Sequence, residues 1–484
     1  MTMARQETKD KIVTVVGAGL VGTLEACFLA KRGYQVHLYE YRPDIRSLEH
    51  VPGRSINLAM SVRGRTGLKA VGLEDQVIKN HGIPMHSRMI HNTDGTTRAI
   101  PYNKDGQCIY SVGRRFVNEV LLTRAEQFPN LTIHFSHKLT SCRLQDGQAS
   151  FLNTETGEEV NRKADVLIGC DGAYSNVRRA MMRQPFFNYN QTYIPHGYME
   201  LCIPATPEGE FVMPANYLHI WPRGQYMMIA LPNQDCSWTV TLFMPFPIFE
   251  SLTTQDQLLS FFQTNYPDAI SLIGRDRLVK DFFANRALPM ISVKCSPYHV
   301  GSTALLMGDA AHAMVPFYGQ GMNCGMEDCV VLDELLEEYS DDLATVLPAY
   351  SAKRSPDAQA IVDLALYNYI EMRDLVNSRK FLFRKKIDDL LSSLIPKYWL
   401  PLYTMVTFTR HPYHLCIARK SWQDKVLKRV LSMAGVLGVG AGVVLTKTDA
   451  LHGLSYSFIT HLSTILTKTW ATVTTAAATA SLKN

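Results

Sequence analysis

Gly17, Gly19 and Gly22 stand at the spacing G-x-G-x-x-G, and an acid, Glu40, closes the apolar stretch that follows. The chemistry open to such a set is the cradling of a dinucleotide. Gly17 permits a tight turn, Gly19 lets the backbone approach a pyrophosphate, and Gly22 lets the next helix lie close to the preceding strand. A carboxylate at the spacing of Glu40 accepts from ribose hydroxyls. It disfavours a 2′-phosphate there, while nearby Arg42 acts in the opposite sense. This unit alone does not distinguish FAD from NAD. Two further runs end in an acid and a glycine, Asp171-Gly172 and Gly308-Asp309, and Pro316 then precedes Gly319-Gln320-Gly321-Met322-Asn323. A carboxylate at a strand end can accept from polyol hydroxyls, and glycines ahead of a helix bare backbone N–H groups to a negative ligand. His312 reads as a packed histidine beside such a site. No arrangement of Ser, His and Asp indicates a nucleophilic triad, so no catalytic side chain is named.

The elements that must position these residues are readable around them. Lys11–Val16 has the β-branched, apolar character of a buried parallel strand, Thr23–Arg32 reads as a helix stopped by Gly33, and Tyr34–Tyr39 is a second strand. Ala164–Gly169 is a strand leading to a helix near Ser175–Arg178. The run from Ala304 is another, and a helix extends from the second glycine pair to about Tyr339. Ser111–Arg114 leads into a helical run, Phe116–Phe128. The whole is a Rossmann-like α/β arrangement.

The three motifs, in this order and spacing, resemble those of the FAD-dependent aromatic hydroxylases, the group A flavoprotein monooxygenases. That resemblance implies FAD as cofactor and NADPH and O₂ as co-substrates. It makes Asp309 the ligand of the ribityl chain and Asp171 part of a site shared by FAD and NADPH. It brings Ala59, in the loop Gly53–Ala59, to the cofactor through its backbone, and an arginine after Gly113 to the phosphates. Arg114 is the candidate, although Arg115 follows directly. The stretches GRSINLAMSVRGR, YIPHGYMEL, YLHIWPR, VPFYGQGMN, LYNYIEMR and PLYTMVTF narrow the resemblance to the branch of the family that hydroxylates L-kynurenine, over roughly Ile12 to Trp422. By that resemblance the substrate carboxylate is held by Arg88 and Tyr102, with Asn368 and Tyr403 completing the pocket, and Phe317, beside Pro316, is placed to wall the aromatic ring. The chemistry is apt: a guanidinium binds a carboxylate bidentately and a phenol adds a donor.

The chain has 484 residues, 46% hydrophobic and 19% charged, with a net charge of +5. This is ordinary globular composition, and the mild charge argues against nucleic acid. Ten cysteines occur without a CxxC pair, so metal ligation and a disulfide framework are not expected. The FAD-binding domain is read as discontinuous, over 8–75, 105–185 and 296–375. An inserted substrate domain, 76–104 with 186–295, reads as an antiparallel sheet of alternating apolar and polar residues. A helical region, 376–425, follows, then a membrane-associated tail, 426–470, and a disordered end, 471–484. Val430–Thr446 carries no charge and follows a basic stretch, which suits a short membrane helix with the basic side in the cytosol. Leu451–Trp470 suits an interfacial helix. The family resemblance makes this an anchor in the mitochondrial outer membrane, with the catalytic body facing the cytosol. A homo-oligomer is compatible with the sequence. The rival readings are a membrane-associated flavin hydroxylase or epoxidase of an apolar substrate, and a flavoprotein scaffold without turnover.

Overall fold

The computed structural model describes residues 11–49, 57–373 and 378–445, and side chains within them as far as Met433, Arg379 excepted. Gly53–Ile56 of the loop read as lying over the cofactor, the interfacial segment 451–470 and the 471–484 end lie outside the described residues. The chain divides into a unit ending at Lys420 and a second beginning at Ser421.

Within the first unit, a six-stranded sheet runs in the order His299–Val300, Ala304–Leu306, Val166–Gly169, Ile12–Val16, Gln35–Tyr39, Leu131–His134. All its pairings are parallel except the first. The three sequence motifs therefore end three neighbouring strands on one edge of one sheet, where parallel strands of a doubly wound fold bind ligands. Helix Leu20–Arg32 follows the first strand, and Gly33, with φ 106°, ends it in the left-handed conformation.

A second, seven-stranded sheet has the order Leu288–Ser296, Asn188–Ile203, Trp238–Pro245, Tyr226–Pro232, Tyr217–Arg223, Ser87–His91, Thr97–Pro101. Its pairings are antiparallel except that between Tyr217–Arg223 and Ser87–His91. Alternating apolar and polar residues are not what its central strands show. Ile220, Met227 and Phe243 enter one core, and their neighbours Trp221, Met228 and Leu242 enter another on the opposite face. The second core exists because the inserted segment is not all sheet. Four helices lie between Phe246 and Ala284, and Leu258, Phe262, Ala269, Ile273, Leu278 and Phe282 cover that face. Strands buried on both sides carry continuous apolar runs. The first core is closed by helix Leu343–Arg373 and by Leu402–Phe408.

Helix Tyr413–Leu445 takes in the uncharged run as far as Leu445. Among the described residues no helix is long and apolar enough to cross a membrane. The expected transmembrane helix thus has no support there, because the uncharged run is short, glycine-bearing and continuous with the basic turns before it.

Candidate functional site

At the first motif the backbone behaves as its glycines require. Gly17 has φ 101° and donates its N–H to the Tyr39 carbonyl at 2.7 Å. A Cβ on Gly22 would lie 2.0 Å from the Gly17 carbonyl oxygen, whereas one on Gly19 would meet nothing within 4 Å. Gly22 is thus fixed by packing, and Gly19 faces open space at the N-terminus of helix Leu20–Arg32, which no side chain caps. That is the environment a pyrophosphate needs. Buried Glu40 braces the turn: one oxygen accepts from the Ala18 N–H at 2.9 Å, the other from Arg42 through its N–H (3.1 Å) and Nε (2.8 Å). Arg42 is itself more than half exposed.

Asp309 is exposed, begins a short helix directly after Gly308, and makes no hydrogen bond or ion pair to any described residue. It is placed to receive donors from outside. Asp171 is placed differently. Its carboxylate accepts from the Ser175 hydroxyl and from the N–H groups of Asn176 (2.6 Å) and Val177 (3.2 Å), and burial pushes it above the usual carboxylate range. It receives the first N–H groups of the helix Asn176–Met181 and so braces the turn at the end of its strand. Gly319, with φ 65°, and half-buried Gly321 and Met322 form the turn into helix Gly321–Glu338, and Pro316 is exposed beside it. Asn323, read as a cofactor residue, also binds the protein. Its amide nitrogen donates to the carbonyls of Ala59 (2.9 Å) and Gly319 (2.6 Å), and its oxygen accepts from Ser61 (2.8 Å) and Gly64 (3.3 Å). A side-chain amide offers two donors and two lone pairs, and all four are in use. Asn323 clamps the loop carrying Ala59 to the glycine turn.

Of the paired arginines, Arg115 holds the carbonyls of Ile45 (2.8 Å) and Leu48 (2.6 Å) and the carboxylate of Glu119 (2.6 Å). Arg114 is exposed at the start of helix Arg114–Ala125 and makes no hydrogen bond or ion pair to any described residue. An uncapped helix end, an open glycine, a free arginine and a free carboxylate fit a dinucleotide with a polyol linker.

His312 is buried. Its Nε2 lies 2.6 Å from Asp328 and its Nδ1 3.9 Å from the Cys324 thiol. Burial opposes its charged form, but the Asp328 carboxylate outweighs this and raises it well above the usual imidazole range. The three groups are close enough to hold a metal ion, yet Arg354 already donates to Asp328 (2.6 Å) and to the Cys324 sulfur (3.1 Å), supplying the positive charge. Asp328 also accepts from the Gly308 N–H at 2.9 Å, so this network supports the loop that carries Asp309.

The five residues read as substrate contacts come together against the first core of the seven-stranded sheet. Arg88 lies in strand Ser87–His91, Tyr102 just past Thr97–Pro101, Phe317 in the turn Pro316–Tyr318, Asn368 in helix Leu343–Arg373, and Tyr403 in Leu402–Phe408. The Arg88 guanidinium sits 4.5 Å from the Tyr403 ring centre and 5.9 Å from that of Tyr102, and those two rings stack at 5.3 Å. Arg88 is only 7% exposed, and its Nε and the Tyr102 hydroxyl are buried without a hydrogen-bond partner. Unpaired buried donors are costly unless a ligand meets them. Burial pushes the Tyr102 phenol well up, so it stays a neutral donor. The Asn368 amide donates to the Phe317 carbonyl at 2.8 Å, and Phe317 stacks on Tyr369 at 3.8 Å. Asn368 therefore fixes the aromatic wall.

Sequence reasoning missed Glu371, which accepts from Arg88 Nη1 at 3.2 Å. It also missed Tyr369, and Tyr318, which stacks on Tyr403 at 5.7 Å. Glu371 lies three residues after Asn368 on one helix, the spacing that shares a face, and this was the signal available.

Comparison with known proteins follows the same lines. A family model described as an FAD binding domain matches residues 10–365. The chain is 56% identical over 463 residues to a kynurenine 3-monooxygenase of Anopheles gambiae, covering 95% of this chain and 93% of that one. It is 52% identical to that of Sus scrofa, over 92% and 93% of the two chains. Among solved structures, 2-methyl-3-hydroxypyridine-5-carboxylic acid oxygenase aligns with a TM-score of 0.61 at 20% identity, over 76% of this chain and 93% of that one, a likeness of fold.

Proposed function

The chain belongs to the kynurenine 3-monooxygenase family of FAD-dependent monooxygenases, and from that premise we propose that it hydroxylates L-kynurenine to 3-hydroxykynurenine with NADPH and O₂, as a step of tryptophan breakdown. The observation that carries the substrate is the buried, incompletely paired guanidinium of Arg88 between two tyrosines, with the Glu371 carboxylate beside it. An amino-acid end group offers a carboxylate to the first and an ammonium to the second. An apolar substrate would leave both unmatched in a buried place, which argues against the rival reading.

Gly17, Gly19, Gly22, Glu40, Arg114, Asp309, Gly319 and Gly321 would hold FAD, with Asp171 and Asn323 bracing the turns. When bound and reduced by NADPH, FAD supplies the activation of O₂. The protein's own part is to bind, orient and dry. Arg88 and Tyr102 fix the carboxylate, and Phe317, backed by Tyr369 and oriented by Asn368, walls the aromatic ring. The ring position attacked is ortho to an amino group whose lone pair supplies electron density, so no protein base is required. The apolar lining excludes the water that would release oxidant as peroxide.

The location that best suits the family is the mitochondrial outer membrane, reached through the C-terminal tail, with the body in the cytosol. The basic residues Arg419 to Arg429 ahead of an uncharged run support that reading. The test of function is NADPH consumption by FAD-loaded protein with and without L-kynurenine, alongside an assay of 3-hydroxykynurenine. Stimulated consumption matched by product is expected. Consumption yielding only peroxide would reject the substrate, and the absence of stimulation would favour a scaffold.

A further inference from the structure

We propose that the helix Arg379–Leu394 is a membrane-contacting surface in its own right, lying in the headgroup region of an anionic lipid bilayer. The inference is independent of the flavin reading and of the uncharged run beyond Val430.

This 16-residue helix has no buried residue among those described. Most helices in folded proteins draw their stability from an apolar face buried against the body. Here an apolar stripe points away. Phe383 is 66% exposed, Leu390 59% and Leu394 68%. With half-exposed Ile387 they recur at i, i+4, i+7 and i+11, a narrow stripe.

The opposite side carries the acids, and these are occupied. Asp388 accepts from the indole N–H of buried Trp399 at 2.9 Å and from Arg384 at 3.0 Å. Asp389 pairs with Lys385 at 3.4 Å. The helix therefore meets the protein with its acids and with half-buried Phe381 and Leu382, and leaves a second apolar stripe, the more exposed one, facing outward.

The flanks of the stripe choose the occupant. By helical spacing the exposed Lys380 falls on one flank and the exposed Lys386 on the other, and exposed Lys397 follows beyond the helix. No carboxylate of the helix lies on that side. An apolar stripe edged by lysines on long, flexible stems matches a surface that is apolar below and negative at the headgroups. A self-association face would instead set these lysines against their own copies, like charge against like.

The test uses the full-length, FAD-loaded protein and hydrogen–deuterium exchange of peptides spanning 380–394. It compares lipid-free protein, phosphatidylcholine vesicles and vesicles that also contain phosphatidylserine. The expected result is slowing by about tenfold or more on the phosphatidylserine vesicles. The double variant Leu390→Glu, Leu394→Glu should abolish it, with FAD content and exchange in 12–39 unchanged. Lys380→Glu with Lys386→Glu should remove only the dependence on phosphatidylserine. Three results would overturn the proposal. Peptides from 430–446 could be protected by vesicles while 380–394 is not. Protection without lipid could grow with protein concentration, making the stripe a contact between copies. Protection without lipid could be shared with peptides from 451–470, making the chain's own tail its cover.

Discussion

Around the glycine turns, several polar side chains that the sequence marks as ligands bind the protein itself. Asn323 uses all four of its hydrogen-bonding positions on backbone, Asp171 receives the first N–H groups of a helix, and Glu40 braces Ala18 and Arg42. Around Arg88 the reverse holds: Arg88 Nε and the Tyr102 hydroxyl are buried without partners. The difference follows from the ligands. A dinucleotide carries many polar atoms in a long array, which backbone N–H groups at helix ends can match, so side chains serve to hold the backbone in place. A small amino acid offers few polar atoms, and side chains must meet them directly.

If that contrast is sound, damage to each region has its own signature. The largest effect is expected from Arg88→Ala: a loss of about 10³-fold in kcat/KM, roughly 4 kcal/mol, with FAD content unchanged, read by steady-state kinetics on FAD-quantified protein. Loss of FAD along with activity would erase the distinction between the regions.

Next comes a pH effect on the cofactor side. Glu25 is fully buried in helix Leu20–Arg32, and burial, reinforced by Asp333 and Asp328, pushes its carboxyl up to about 8 from 4.5. The fold keeps this proton while the unfolded chain releases it near 4.5, so the fold binds more protons in between. Stability therefore falls as pH rises from about 4.5 to about 8 and levels off beyond. Glu25→Gln should remove that slope, stabilising the protein by about 4 kcal/mol at pH 8 and by almost nothing at pH 4.5. Urea unfolding at the two pH values measures it, and an equal change at both would contradict it.

Asn323→Ala should cost about 2 kcal/mol of stability through four lost hydrogen bonds. FAD content should fall, while the substrate KM of the remaining holoprotein stays as it was. The smallest effect is expected for Tyr102→Phe, about 1 kcal/mol, seen as a roughly fivefold higher KM with kcat and FAD content unchanged.

What could be read from the chain followed the range of the forces involved. The first glycine turn is local, and its strand, helix and terminal acid are found where their residues imply, with Gly17 and Gly33 at positive φ. The helices between Phe246 and Ala284 were missed although the signals were local too. Thr254 and Gln257 form a capping box ahead of Leu258, Leu259 and Phe262 at helical spacing. That omission produced the mistaken alternation in the sheet, since strands covered on both faces lose it. The partnership of Arg88 with Glu371 joins residues 283 apart in the chain, and local patterning does not reach that far. The bracing roles of Asn323 and Asp171 were hidden for another reason. An amide or carboxylate beside a glycine turn looks the same in sequence whether it serves the ligand or the loop.

The most direct test of the contrast is a flavin-absorbance titration of wild type and Arg88→Ala with L-kynurenine and with its decarboxylated analogue, kynuramine. Wild type should bind L-kynurenine far more tightly than kynuramine, and Arg88→Ala should bring the two ligands to nearly equal affinity with FAD still in place. If Arg88→Ala keeps the wild-type preference for L-kynurenine, the carboxylate is held elsewhere and the account of the substrate site fails.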